Sequence, residues 1–184
     1  MRIVGGTYGG RTLVTPEGSN VRPTTDRVRE ALFNILEHGE TALEGARVLD
    51  LFSGSGALGL EALSRGAATI LFVEVDADAR GAIRENVEAL GATGATRVFR
   101  RDATDLGPMP KNQGEAYDLV FLDPPYGKDL GPLALASAME GGWLKEGATI
   151  VFECGADEKP DVSGFKLEDS RRYGDTKVLF LRVD

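Results

Sequence analysis

The chain has 184 residues, 42% apolar and 27% charged, with a net charge of −8; this is the composition of one ordinary globular domain and excludes a disordered or collagen-like chain. No apolar run approaches the ~18 residues of a membrane span, and the opening residues lack the apolar core of a signal peptide. Cys154 and His38 are the sole cysteine and histidine, so an internal disulfide is excluded, a metal site is not expected, and a cytoplasmic location fits.

The charge is uneven. Residues 1–30 carry Arg2, Arg11, Arg22, Arg27 and Arg29 against Glu17, Asp26 and Glu30, a balance of +2 that leaves −10 on the remainder. A basic N-terminal arm over residues 1–23, with short strands near 1–4 and 11–14, is therefore expected on an acidic main domain over 24–184. Pro23-Thr24-Thr25-Asp26 is a helix-start signal. Val28, Leu32, Ile35 and Leu36 form the apolar stripe of the helix that follows; Phe33 falls off the stripe, and Gly39 is the stop. From residue 46 the pattern alternates. Strands are predicted at 47–52, 69–75, 97–100, 118–122 and 148–154, and helices at 57–65, 77–90 and 130–140. The segments 165–172 and 177–183 are joined too closely for a helix and read as a hairpin. The fold class expected is α/β, an open and mostly parallel sheet with helices on both faces and an antiparallel hairpin at its end.

Residues 48–59, VLDLFSGSGALG, join the first strand of this series to its helix through a glycine-rich turn. Gly54, Gly56 and Gly59 match G-x-G-x-x-G, and Glu74 stands 20 residues after Gly54, at the tip of the next strand. Glycines let backbone approach a ligand closely, and a carboxylate at that tip accepts hydrogen bonds from ribose hydroxyls. The pattern predicts an adenosine-bearing ligand held by the turn residues Phe52, Ser53, Gly54 and Gly56. Asp50, just before the turn, would repel a pyrophosphate and suits a ligand with a cationic amino-acid portion. S-adenosylmethionine, with an ammonium and a sulfonium, fits better than NAD. Asp102 and Ala103, after the third strand, are placed at the adenine.

Val120-Phe121-Leu122-Asp123-Pro124-Pro125-Tyr126 is the most specific signal in the chain. A strand delivers an acid, two rigid prolines and an aromatic at its carboxyl end. The Asp123 carboxylate and the Pro124 backbone offer acceptors for an –NH2 group, and Tyr126 offers a flat face to a planar base. Together they predict methyl transfer to an exocyclic amine of a base flipped out of its stack.

Asp50 through Gly56 together with Asp123-Pro124-Pro125-Tyr126 resembles the class I, S-adenosylmethionine-dependent amino-methyltransferases. With Arg2-Ile3-Val4-Gly5-Gly6, Gly9-Gly10-Arg11, residues 22–30, residues 33–36 and Tyr173-Gly174-Asp175-Thr176, the whole chain is similar to the RsmD-type 16S ribosomal RNA guanine-N2 methyltransferases. The resemblance implies a Rossmann-like, seven-stranded sheet. It implies methylation of a guanine N2 amine in 16S rRNA within the small ribosomal subunit or its assembly intermediate. The acidity of the chain departs from what tight binding of free RNA requires. A monomer without metal or membrane contact is expected.

Arg11, Arg22, Arg27 and Asn34, with Tyr126, are the candidate substrate contacts. Glu30 shares the Arg27–Asn34 helix face, which reads equally as a solvated face. Arg171, Arg172 and Tyr173 extend a possible basic surface. Trp143 and Phe152 are read as core and Cys154 as inert. Two alternatives use the same features: an adenine-N6 or cytosine-N4 methyltransferase acting on DNA, and a non-catalytic RNA-binding module of the same fold.

Overall fold

The computed structural model describes residues 1–16 and 25–184. Arg22, expected to touch RNA, and Pro23 and Thr24 of the helix-start signal lie outside the described residues. The first helix, α1 (Asp26–Glu37), begins where that signal places it. Thr25 is its N-cap, the hydroxyl accepting from the Val28 N–H at 3.2 Å, and Asp26 lies in the first turn. His38 caps the other end, with Nδ1 2.7 Å from the Asn34 carbonyl.

Strands and helices then alternate as expected. They are β1 (Arg47–Leu51), α2 (Ala57–Ser64), β2 (Thr69–Val73), α3 (Ala77–Ala89), β3 (Thr96–Phe99), β4 (Tyr117–Leu122), α4 (Leu130–Glu140), β5 (Leu144–Gly155), β6 (Lys166–Tyr173) and β7 (Thr176–Arg182). They build one seven-stranded sheet in the order β3-β2-β1-β4-β5-β7-β6. Strands β1 to β5 run parallel, and β7 is antiparallel to both β5 and β6. The order reverses between β1 and β4, the position at which open α/β sheets bind ligands. β5 starts at Leu144, earlier than the 148–154 expected. Its first turn of chain is polar and exposed, and the register against β4 shifts between Tyr117 and Leu119, so apolar periodicity gives no sign of it.

Side-chain alternation splits the core into two layers. One face carries Val48, Phe72, Phe121 and Val151 under α1, α2 and α3; the other carries Leu49, Leu71, Leu122 and Ile150 with α4 and Trp143. Helices thus cover both faces unequally. On α1 the buried side chains are Arg29, Leu32, Phe33 and Leu36, while Val28 and Ile35 are only half-buried. The expectation that Phe33 lies off the apolar stripe is corrected. Phe33 is inaccessible, its ring 5.6 Å from Phe121 and beneath the Arg65 guanidinium at 5.3 Å. The helix is rotated toward this face because Arg29 also turns inward, onto Glu61.

The N-terminal residues form one antiparallel bridge, Arg2 with Thr12, in place of two strands. Ile3 and Leu13 are buried, and the segment closes through Ile3 N–Arg11 O at 2.9 Å and Leu13 N–Met1 O at 2.8 Å. Gly6 is obligatory here: its φ is +76°, and a Cβ would lie 2.0 Å from the Ser64 carbonyl oxygen.

Candidate active site

The chain leaves β1 through a turn in which Phe52 takes φ +56° and Gly56 takes φ +83° as the N-cap of α2. That left-handed pair folds the backbone sharply enough to leave the start of α2 facing the end of β1. Gly59 lets α2 lie close on the sheet, since a Cβ there would stand 2.6 Å from the Phe72 ring and 3.0 Å from the Asp50 carboxylate. Asp50, 1% exposed, accepts from the Gly59 N–H at 3.1 Å. Burial, and to a smaller extent the Glu74 charge, hold its carboxyl well above the usual carboxylate range. A cationic ligand placed here relieves that repulsion, and a pyrophosphate adds to it, so the residues present fit S-adenosylmethionine.

Glu74 fastens the turn to the tip of β2. Its Oε1 accepts from Gly54 N–H at 2.8 Å and its Oε2 from Asp76 N–H at 3.0 Å. The Ser53 hydroxyl bonds the Val73 backbone at both groups, at 3.1 and 3.2 Å, so its side chain extends the β1–β2 pairing. Glu74→Ala removes the latch on Gly54 and, with it, the charged acceptor expected to meet a ribose. S-adenosylmethionine binding is expected to weaken by about 1.5–3 kcal/mol, read by calorimetry; an unchanged affinity would place the ribose elsewhere.

Alternation puts Glu74, Asp50, Asp123, Glu153 and Thr176 on the same face of the sheet, at the end where the parallel strands finish: Glu74 just past β2, Asp50 on β1, Asp123 just past β4, Glu153 on β5 and Thr176 on β7, in spatial order. Asp123 is half-buried and Pro124 buried. Burial first, then the Glu153 and Asp50 charges, push the Asp123 carboxyl well above the ordinary range. The Tyr126 hydroxyl lies 2.9 Å from Thr176 Oγ1 and 3.3 Å from Glu153 Oε1. The residue is 36% exposed, so the hydroxyl is anchored while the rest of the side chain is open to solvent.

Two residues of this arrangement were not anticipated from the sequence. Glu153, 5% exposed, is the one charged residue in the apolar run from Ala148 to Cys154; its position in that run was the signal available. Glu158 has no local pattern to reveal it. Its carboxylate accepts from Gly127 N–H at 2.7 Å and from Gly155 N–H, and Lys177 Nζ donates to its carbonyl. It ties the loop just after Tyr126 to the end of β5. Glu158→Ala is expected to raise KM for the methyl acceptor about tenfold, the equivalent of ~1.4 kcal/mol, with S-adenosylmethionine affinity unchanged. Steady-state kinetics with both substrates varied checks this, and an unaltered KM would show that the loop holds its shape without the clamp.

The remaining sequence-stated candidates distribute unevenly. Asp102 is exposed beyond β3, with Oδ1 accepting from Thr104 N–H at 2.8 Å and near Thr104 Oγ1 at 2.7 Å. Ala103 is buried in the second core layer. Arg11 is exposed, one guanidinium nitrogen 2.7 Å from the Ala89 carbonyl. Arg27, Glu30 and Asn34 are exposed together on α1. Arg29 does not belong to a basic surface, being inaccessible and paired with Glu61 at 3.1 Å and Asp26 at 2.8 Å. Arg171 pairs with Asp169 at 2.9 Å. Trp143 and Phe152 are core, and Cys154 is buried with its thiol pushed up to about 11 by desolvation. Among the described residues there is no cluster of His, Cys, Asp and Glu suited to a metal ion, and no helix is long and apolar enough to cross a membrane.

Residues 1–182 match the family described as conserved hypothetical protein 95. The chain is 40% identical over 153 residues to ribosomal RNA small subunit methyltransferase D of Escherichia coli strain K12, covering 83% of this chain and 74% of that protein. It is 36% identical over 159 residues to the protein of the same name from Haemophilus influenzae, covering 86% and 80%. The solved structure of the Escherichia coli protein yhhF superposes with a TM-score of 0.82 at 33% identity, covering 100% of this chain and 98% of that one.

Proposed function

The chain belongs to the conserved hypothetical protein 95 family, the S-adenosylmethionine-dependent methyltransferases that include the small subunit methyltransferase D proteins, and from that premise we propose that it methylates the N2 amine of a guanine in 16S rRNA. The observation that carries the chemistry is Asp123-Pro124-Pro125-Tyr126, at the carboxyl end of β4 beside the glycine turn of β1. Held by Asp50 and Glu74, the cofactor would supply an electrophilic methyl on sulfur; transfer would form the nitrogen–carbon bond, break the carbon–sulfur bond to leave a neutral thioether, and release one amine proton to solvent.

The protein's part is orientation and charge. The Asp123 carboxylate and the Pro124 carbonyl accept from the amine and aim its lone pair at the methyl. As nitrogen gains positive charge, the same acceptors stabilise it, and they are already in position before the reaction. The Tyr126 ring takes the flipped base, worth about 1–3 kcal/mol of stacking. Asp50 and Glu74 hold the cationic and ribose portions of the cofactor, with Phe52, Ser53, Gly54, Gly56, Asp102 and Ala103 around them.

The substrate we infer is RNA within the small subunit or an assembly intermediate, in the cytoplasm, met by a monomer. An acidic body repels naked RNA, and few exposed arginines can neutralise phosphate. Incubating the protein with radiolabelled S-adenosylmethionine and undermethylated small subunits should place label in N2-methylguanosine. Label in N6-methyladenosine, or none, would overturn the assignment. Arg11→Glu is expected to slow methylation of subunits roughly tenfold at low salt, with the difference shrinking as salt rises. Identical salt series for variant and wild type would exclude Arg11 from the RNA contact.

A further inference from the structure

Beside Asp123 stands a second carboxylate for which orientation of the amine provides no role. In the β4–β5 register Leu122 pairs with Phe152, so Asp123 and Glu153 are the next residues along two adjacent strands. Both follow core side chains of the same sheet face, Phe121 and Val151. Glu153 is nearly inaccessible, and its Oε1 is 3.3 Å from the hydroxyl of Tyr126, whose ring takes the base in the proposed function. Thr176 follows on β7, its hydroxyl 2.9 Å from the same tyrosine oxygen. Across three neighbouring strands the site presents a carboxylate, a second carboxylate and a hydroxyl.

Three nucleobases carry an exocyclic amine, and they differ in the ring nitrogen beside it. Adenine and cytosine present a bare lone pair there. Guanine presents N1–H on the side that leads to the O6 acceptor, with the N3 lone pair on the amine's other side. A carboxylate next to the amine subsite repels the first two and accepts a hydrogen bond from the third. We propose that Glu153 accepts the N1–H of the flipped base and thereby restricts the site to guanine. The inference rests on the amine-methylating function and deepens it, because Asp123 and Tyr126 alone suit any of the three bases. It also gives the adjoining carboxylates a common purpose: guanine brings two neighbouring N–H donors, one to each. The Thr176 hydroxyl, next in order, is placed to donate toward O6. Mutual repulsion of the two carboxylates, which adds to burial in raising the Asp123 carboxyl, is relieved at both by guanine and not by adenine or cytosine.

The test uses 2-aminopurine, which keeps the N2 amine and lacks N1–H. After the methylated position has been mapped, small subunits are reconstituted with rRNA carrying guanine, 2-aminopurine or adenine there. The wild-type enzyme is expected to prefer guanine to 2-aminopurine by at least about 100-fold in kcat/KM, because a buried acceptor is left facing a lone pair. Glu153→Gln should lower kcat/KM on guanine and compress that preference to within about tenfold, since its amide N–H can donate to the bare nitrogen. S-adenosylmethionine affinity and thermal stability of the variant serve as controls for folding. 2-Aminopurine also lacks O6, but the variant leaves the O6 side untouched, so the change in the ratio isolates N1. Equal wild-type rates on guanine and 2-aminopurine would overturn the proposal without any variant. An unchanged ratio in Glu153→Gln would overturn it as well. A wild-type enzyme that binds S-adenosylmethionine yet methylates none of the subunits would instead remove the proposed function, and this inference with it.

Discussion

Asp123→Ala is expected to reduce methyl transfer roughly 10²–10³-fold, the cost typical of removing one preorganised group that stabilises developing charge, while S-adenosylmethionine affinity changes little. The separation follows from position. Asp123 sits past the end of β4, among Glu153, Pro124 and Tyr126, whereas Asp50 and Glu74 lie toward β2 with the glycine turn. Asp123→Asn keeps one acceptor and loses the charge, so it should fall between wild type and alanine. The pH profile carries a second signature. The Asp123 carboxyl is raised by burial and by Glu153 and Asp50, so acid protonates it at a higher pH than an ordinary carboxylate. Its protonated form has one oxygen turned into a donor. The rate should therefore rise with pH along a limb set above the usual ~4 of an aspartate, and Glu153→Gln, which deletes one of the negative neighbours, should shift the limb to lower pH. Single-turnover rates at saturating cofactor across pH test both statements. Near-normal turnover in Asp123→Ala, or a limb that stays at the ordinary aspartate value, would remove the carboxylate from the role given to it.

Most of the architecture is legible in the chain because the code for it is local. Parallel strands buried on both faces read as short apolar runs, and each helix ends at a glycine or begins at a capping residue. The ends of those strands are where ligand groups belong, so counting singles out Asp50, Glu74 and Asp123, and the fold brings the three to one face of the sheet. What escaped depends on partners distant in sequence. Phe33 looks stray on a helical wheel because the groups that bury it, Phe121 and Arg65, arrive from β4 and α2. Arg29 counts as basic surface in a charge tally, yet its counter-charge, Glu61, is 32 residues away. Glu158 meets Gly127 across 31 residues and shows no motif. The early start of β5 was hidden for a different reason: Lys145, Glu146 and Gly147 are exposed at the strand's beginning, so they lack the apolar alternation that marks a strand.

Glu61→Ala should cost about 3–5 kcal/mol of stability, the usual penalty for leaving a buried charge without its partner. The Glu61 carboxylate is inaccessible and meets four donors: the Val4 N–H at 2.9 Å, the Gly5 N–H at 3.0 Å, Arg29 Nε at 3.1 Å and Arg65 Nε at 3.0 Å. It thus joins the N-terminal segment, α1 and α2 at one point. Alanine removes the buried counter-charge of the Arg29 guanidinium, which is wholly buried and keeps the Arg2 carbonyl as an acceptor, and frees two backbone N–H groups. Asp26 holds another nitrogen of Arg29 at 2.8 Å, but it is partly exposed and carries less weight. Since 1 kcal/mol moves Tm by about 2–4 °C in a domain of this size, a fall of roughly 6–20 °C is expected in thermal unfolding. A loss below 1 kcal/mol would mean the cluster relaxes to solvent without consequence. The same geometry decides how RNA docking can be tested. Removing residues 1–13 would take away Ile3, Leu13 and two ligands of Glu61, and the result would report on folding. Charge reversal at exposed Arg11 leaves that buried junction intact, so a loss of subunit methylation in Arg11→Glu, with Tm unchanged, isolates the contact with RNA.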